Sequence, residues 1–237
     1  MQATILLDVY NFLDLAVQTE IVTSLEDLIK QAASVDIDYV DLRLYGGWFE
    51  DGLLTVHASK LVADIVGIRF PMQHPKGHRL LRGRIGLATG PAALSGRQYG
   101  GTLTSRSGLK AIRLMDDKQP DGCASEENCA VRALKRLTKR STSRCPTALC
   151  EVQNKDAFRH KEQKMVDTMM AIDTLHLAAS FPQQRVIVAS DDVDLVPALE
   201  VAANSGGDVS LISRRVPDLH GVDFLCTHSQ WTGYSRG

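Results

Sequence analysis

Four aspartates stand where carboxylates can do chemistry. Asp8 closes a short apolar run, residues 3–9 (ATILLDV). Asp192 and Asp194 follow a second apolar run, residues 185–190 (RVIVAS), within Ser190-Asp191-Asp192-Val193-Asp194. Asp167 lies near the start of a long helical pattern. Carboxylates crowded together repel one another, and such a cluster persists when a hard cation neutralises it. Mg²⁺ or Mn²⁺ takes oxygen ligands of this kind and keeps waters for reaction. One or two such ions lower the pKa of a water and stabilise the attacking and leaving oxygens at a phosphodiester. A Ser, His or Cys nucleophile is then unnecessary. Each acid also has a plain structural use. Asp8 suits a turn at a strand end, Asp194 a helix N-cap, and Asp167 the positive end of a helix dipole. Their joint placement is what points to a metal site. Asp173 follows Asp167 by six residues. That is roughly 120° away around a helix of 3.6 residues per turn, which makes it the weaker candidate.

The elements that must position these acids are legible from periodicity. Residues 3–9 and 185–190 read as buried parallel strands, continuously apolar and short. Residues 38–45 (DYVDLRLY) alternate and read as another strand, broken by Gly46 and Gly47. Residues 24–33 predict a helix with Ser24 as N-cap, and residues 53–66 a further helix. Residues 161–180 carry Met165, Met169, Ile172 and His176 at helical spacing and stop before Pro182. Residues 196–205, with Pro197 in the first turn and Gly206-Gly207 beyond, form the next helix, and residues 208–212 the next strand. Strand, helix, strand at this end is a parallel βαβ unit. In open parallel sheets ligands bind beyond the carboxyl ends of the strands, where Asp8 and Asp192 lie.

Between residues 67 and 122 the pattern weakens into short β-like runs (RIGLATG, GTLTSRSGLKAIRL). Residues 126–140 (EENCAVRALKRLTKR) predict a basic amphipathic helix. Residues 60–144 carry 17 Lys and Arg against 6 Asp and Glu, and the rest of the chain 10 against 22. The net charge of −1 therefore hides a basic middle on an acidic body. Basic segments bind phosphate backbones through counterion release. No apolar run approaches the roughly 20 residues of a membrane helix. The N-terminus lacks a basic n-region and reads as a strand, so the expected location is cytoplasmic. The last dozen residues read as a loose tail.

Cysteines in that setting are reduced thiols or metal ligands. Cys123, Cys129, Cys145 and Cys150 are separated by 5, 15 and 4 residues, enough thiolates for a tetrahedral structural zinc. These arms are longer than tight C-x₂-C pairs, and Cys129 lies on the apolar side of the predicted helix, where a thiol serves as a small hydrophobe. His74 and His78 flank Pro75 and Gly77 and read as loop.

Three blocks resemble the NYN domains of the PIN-like nuclease superfamily. Asp8-Val9-Tyr10-Asn11-Phe12 is similar to a strand-end D-G-x-N-[LF]. Lys164-Met165-Val166-Asp167, with Asp173 beyond, is similar to K-G-V-D and its second Asp. Ser190-Asp191-Asp192-Val193-Asp194-Leu195 is similar to S-G-D-S-D-F. The blocks keep family order over residues 3–14 and 161–212. Val9, Met165 and Asp191 take the glycine positions and would narrow the site, but no carboxylate is lost. The resemblance implies a Rossmann-like PIN/NYN α/β fold: a central parallel sheet flanked by helices, one domain over residues 1–237, with a basic, Cys-containing insertion at about 67–155. It implies a divalent-metal-dependent nuclease, foremost an endoribonuclease on single-stranded RNA. Asp8, Asp167, Asp192 and Asp194 would hold Mg²⁺ or Mn²⁺, Asn11 would orient Asp8 or contact a phosphate, and Lys164 would contact substrate phosphate. Two other readings use the same residues: a non-catalytic nucleic-acid-binding module, and a metal-dependent phosphatase of small phosphoesters.

Overall fold

The structure is a computed structural model of the 237-residue chain, and it describes residues 1–13, 21–107, 113–114, 158–213 and 220–226. The chain divides into two compact units, residues 1–102 with 164–237, and residues 103–163.

The larger unit is built on a seven-stranded sheet. In chain order the strands are β1 (Gln2–Asp8), β2 (Tyr39–Tyr45), β5 (Met72–Gln73), β6 (Leu80–Leu87), β10 (Gln184–Ala189), β11 (Val209–Ile212) and β12 (Asp223–Cys226). Across the sheet they run β12-β11-β10-β1-β2-β6-β5. All neighbours are parallel except the edge pair β5–β6. A two-stranded hairpin, β3 (Phe49–Glu50) and β4 (Leu53–Leu54), follows β2. The helices are α1 (Val9–Phe12), α2 (Ile21–Ala32), α3 (Val56–Ile65), α4 (Val166–Ser180) and α5 (Val196–Asn204).

Alternation along the strands explains the two layers. Ile5 and Leu7 of β1, Val40, Leu42 and Leu44 of β2, and Ile187 and Ala189 of β10 enter one core with Leu25, Leu28 and Ile29 of α2 and Leu61 of α3. Leu6, Tyr45, Val186 and Val188 face the other way, onto Val166, Met169, Met170 and Leu177 of α4 and Leu199 of α5. Both faces of the central strands are covered, which is why they read as unbroken apolar runs. Each buried aliphatic side chain contributes about 1.5–3 kcal/mol by leaving water.

Several expected boundaries move. The helix expected at 24–33 starts at Ile21, so Ser24 lies inside it and caps nothing. Thr55 caps α3, its hydroxyl accepting from the Ala58 amide at 3.1 Å. The helix expected from residue 161 begins at Val166, because residues 158–163 are strand β9 and Met165 turns the chain with φ of 65°. Helix α5 stops where Gly206 takes φ of 87°, a conformation that costs glycine nothing.

The insertion expected at 67–155 divides differently. Residues 80–87 alternate weakly in sequence, yet they form a full strand of the central sheet beside β2. The separate unit is residues 103–163. It contains β7 (Leu103–Ser107), β8 (Arg113–Leu114) and β9 (Phe158–Gln163) in an antiparallel sheet of order β7-β9-β8. The expected basic helix 126–140, the four cysteines Cys123, Cys129, Cys145 and Cys150, and most of the expected tail lie outside the described residues. Residues 223–226, which end at the first residue of that expected tail, add the last strand to the sheet edge. Among the described residues no helix is long and apolar enough to cross a membrane.

Candidate active site

Strand order decides where a site can form. From β1 the chain builds outward through β2 and β6, then returns to the other side of β1 for β10, β11 and β12. The switch point is the crevice between the carboxyl ends of β1 and β10. Asp8 ends β1, and Ser190 to Asp194 follow β10. Alternation does the rest. Thr4, Leu6 and Asp8 share one face of β1, and Leu6 packs in the core that contains α4. Asp8 therefore emerges on the side from which α4 presents Asp167 in its first turn.

Asp8 is fully buried. Its Oδ1 accepts from the Asn11 amide at 3.2 Å, its Oδ2 from the Asn11 side-chain Nδ2 at 2.7 Å, and Oδ2 again from the Ser190 hydroxyl at 3.3 Å. Asn11 thus donates to both oxygens of Asp8 from within a one-turn helix that Asp8 itself caps. Tyr10 packs on Trp48 and His57, with ring centroids 6.1 and 5.5 Å apart, which fixes the turn after Asp8. Ser190 is the residue that sequence reasoning passed over. Its hydroxyl donates to Asp8 and accepts from the Asp192 amide at 3.1 Å, so one buried side chain links both strand ends. The signal was present: a Ser at a strand end, directly before an acidic turn. Asp192, and not Asp194, does the capping here: its Oδ1 accepts from the Asp194 amide at 2.9 Å and starts a 3-10 turn over Val193–Leu195. Asp191, at the glycine position of the resemblance, turns aside and accepts from the Ser213 hydroxyl at 3.0 Å.

Charge links Asp8 to the acids after β10 by way of Asp167. Burial pushes the Asp8 carboxyl up to about 6; the Asn11 and Ser190 hydrogen bonds oppose this, and the Asp167 charge adds to it. Asp167 is exposed, and partial desolvation followed by the charges of Asp192 and Asp194 raises its carboxyl above the ordinary range. Asp167 is therefore the acid coupled to the other three. Like charges so placed favour any cation that neutralises them. The donors are all oxygen, which suits a hard ion such as Mg²⁺ or Mn²⁺. Among the described residues no three His, Cys, Asp or Glu side chains stand together as a ready metal cage. Asp8 spends its oxygens on Asn11 and Ser190, and Asp192 spends one on its turn.

No protein-family model, curated protein or solved structure matches this chain. The α/β architecture with a mostly parallel central sheet thus stands on strand order and register alone.

Two residues near the acids take different places from the cluster. Asp173, the weaker candidate, is buried about 1.7 turns beyond Asp167 on α4 and belongs to an ion pair with Arg43 at 3.1 Å. Lys164 precedes α4, its amide donating to the Thr102 carbonyl at 2.9 Å. His74 is a buried joint: its Nδ1 accepts from the Lys76 amide, leaving Nε2 to donate to the Ile37 carbonyl at 2.9 Å.

Met165 holds a left-handed backbone at the position where the resembling motif has glycine. That conformation costs a non-glycine residue about 1–2 kcal/mol, partly offset by the entropy glycine loses on folding. Met165→Gly should therefore raise stability by about 0.5–1 kcal/mol in urea titration. Ser190→Ala should do the reverse. It leaves the Asp192 amide without its acceptor and should cost about 1–2 kcal/mol. Losing a donor to the charged form should also move the Asp8 titration, followed by carboxyl ¹³C NMR, to still higher pH.

Proposed function

We propose that the chain is a divalent-cation-dependent nuclease of the PIN-like type, an endoribonuclease acting on single-stranded RNA. The observation that supports this reading is Asp8 buried at the switch point, its carboxyl raised by burial and by the charge of Asp167, which in turn feels the charges of Asp192 and Asp194. Perturbed carboxylates cluster at functional sites, which supports the reading. Asp8, Asp167, Asp192 and Asp194 would hold Mg²⁺ or Mn²⁺. When bound, the ion supplies neutralising charge, an activated water and stabilisation of charge developing at phosphorus. The residues supply the rest. Asn11 and Ser190 fix the carboxylate of Asp8, so no reorganisation is needed as substrate binds. Burial of Asp8 keeps its charge in a low-dielectric setting, where its attraction for a cation is strongest. Lys164 and the basic stretch 60–144 supply attraction for the phosphate backbone.

The test is purified chain with end-labelled single-stranded RNA, with Mn²⁺ or Mg²⁺ and with chelator. Internal cleavage that requires the ion and disappears in Asp192→Asn supports the reading. RNA binding without cleavage under any divalent ion would make the chain a binding module. Turnover of a small phosphoester, without RNA cleavage, would make it a phosphatase.

A further inference from the structure

A second polar cavity opens within the larger unit, away from the acids. Its volume is about 550 Å³, within the range of small-molecule sites. The floor is the α4 face of the sheet: Thr4 of β1, Asp41 and Arg43 of β2, and Arg84 of β6. The end of α4 forms one wall, and residues 89–98 form the roof. Thr4 lies four residues before Asp8 on β1, about 13 Å away along the strand. The cavity and the acidic crevice are thus at opposite ends of the same strand.

The roof is built rather than incidental. Arg43 donates to the Gly90 carbonyl at 3.2 Å, and Asp173 accepts from the Ala92 amide at 2.6 Å. Gly90 admits no side chain, since a Cβ there would meet the Arg97 carbonyl oxygen at 1.9 Å. The floor is fixed as well: Arg84 forks onto Asp41 at 2.8 and 2.6 Å, and Gln184 donates to the Thr4 hydroxyl.

The lining holds three guanidiniums, Arg43, Arg84 and Arg97, against one carboxylate, Asp41. Arg43 and Arg84 each have an acid partner. Arg97 has none among the described residues; its guanidinium lies over the Tyr99 ring, 5.7 Å from the centroid. An exposed, acid-free guanidinium on a pinned loop, over a net positive cavity, is suited to a phosphate. Beside it are hydroxyl and amide groups (Thr89, Gln98) suited to a sugar, and Phe181, half exposed, at the mouth as a surface for a flat ring. Anion, polyol and ring surface together describe one ligand class. We propose that this cavity binds a nucleoside monophosphate, with Arg97 on the phosphate and Phe181 against the base.

The experiment is calorimetric titration of the full chain with AMP, GMP, CMP and UMP, and in parallel with inorganic phosphate and adenosine. Chelator is present and the Asp8→Asn chain is run alongside, so the acidic crevice contributes nothing. At least one nucleotide should saturate below about 1 mM, about −4 kcal/mol. That nucleotide should bind at least tenfold tighter than phosphate or its nucleoside. Arg97→Ala should weaken it at least tenfold, and Phe181→Ala should weaken it while leaving phosphate affinity unchanged. Both sites are exposed, and unchanged thermal unfolding would confirm that each variant folds. No saturable nucleotide binding, equal binding to Arg97→Ala, or adenosine binding as tightly as AMP would each overturn the proposal. RNA cleavage has no part in these readouts, so failure here leaves the nuclease reading standing, and the reverse holds too.

Discussion

Asp8→Asn should abolish RNA cleavage while making the metal-free protein more stable at neutral pH. The activity loss should be at least about 10²-fold, the scale of removing one group aimed at developing charge. The stability gain follows from burial. The Asp8 carboxyl is pushed from 3.8 up to about 6 in the folded chain, chiefly by desolvation. Between those values the folded state holds a proton that the unfolded state has released. Unfolding free energy therefore falls as pH rises through that window. Each unit corresponds to about 1.4 kcal/mol, so a buried, ionised Asp8 costs the fold up to about 3 kcal/mol at pH 7. An Asn carries no such charge. Urea titrations with chelator should show wild type and variant close below pH 4 and separated by up to about 3 kcal/mol at pH 7, the variant being the more stable. Mn²⁺ should narrow the gap by stabilising only the wild type. A variant that is inactive and also less stable at pH 7 would show that activity was lost with the fold, and that Asp8 is a structural residue.

The central strands were readable because burial on both faces writes an unmistakable signature. β1 and β10 fall within a residue of the runs ATILLDV and RVIVAS. Their carboxyl ends, and hence Asp8 and Asp192, were placed correctly for that reason alone. The sheet edges were harder. β6 (LLRGRIGL) exposes Arg82 and Arg84, and β12 is only four residues long, so neither carries enough apolar pattern to separate it from loop. Their pairing partners supply the missing specification: β2, distant in sequence, for β6, and the preceding strand β11 for β12. The start of α4 was misread for a local reason. Residues 161–163 are good helix formers, but they pair with β7, and only the turn at Met165 resets the chain.

Within the candidate site, strand ends pointed to Asp8 and Asp192 and the resemblance to Asp167, but neither pointed to Ser190. Asn11 was reached only through the resemblance of Asp8-Val9-Tyr10-Asn11-Phe12 to D-G-x-N-[LF]. Ser190 was not reached, because its importance comes from β1 and β10 being neighbours, which no local pattern states. Asp192 and Asp194 exchanged roles for a similar reason. An acid before α5 suggests a cap, yet a 3-10 turn precedes that helix and takes Asp192 as its cap. Asp194 is left exposed and able to turn to a ligand.

The sharpest contrast should come from the two acids of α4. Asp173→Ala should cost about 3–5 kcal/mol, the range for breaking a buried ion pair from one side. Asp173 receives Arg43, the Ala92 amide and the Tyr45 hydroxyl, which burial keeps protonated and able to donate. Removing it leaves Arg43 without its counter-ion and leaves a buried phenol and a backbone N–H without their acceptor. For a domain stabilised by about 5–15 kcal/mol that is a large share. The roof over residues 89–98 should loosen with it, seen as faster hydrogen exchange at Ala92 and faster tryptic cleavage at Arg97. Asp173→Asn retains an acceptor and should lose less. Asp167→Asn, six residues away on the same helix, should leave stability within about 0.5 kcal/mol or raise it, because it relieves repulsion from Asp192 and Asp194, and it should remove cleavage. One helix would then carry an acid whose charge holds the fold and an acid whose charge opposes it. The difference lies in the partners: Asp173 faces a cation and donors, Asp167 faces carboxylates. A loss below about 1 kcal/mol for Asp173→Ala, the scale of an ordinary surface ion pair, would show that sheet and loop hold together without it.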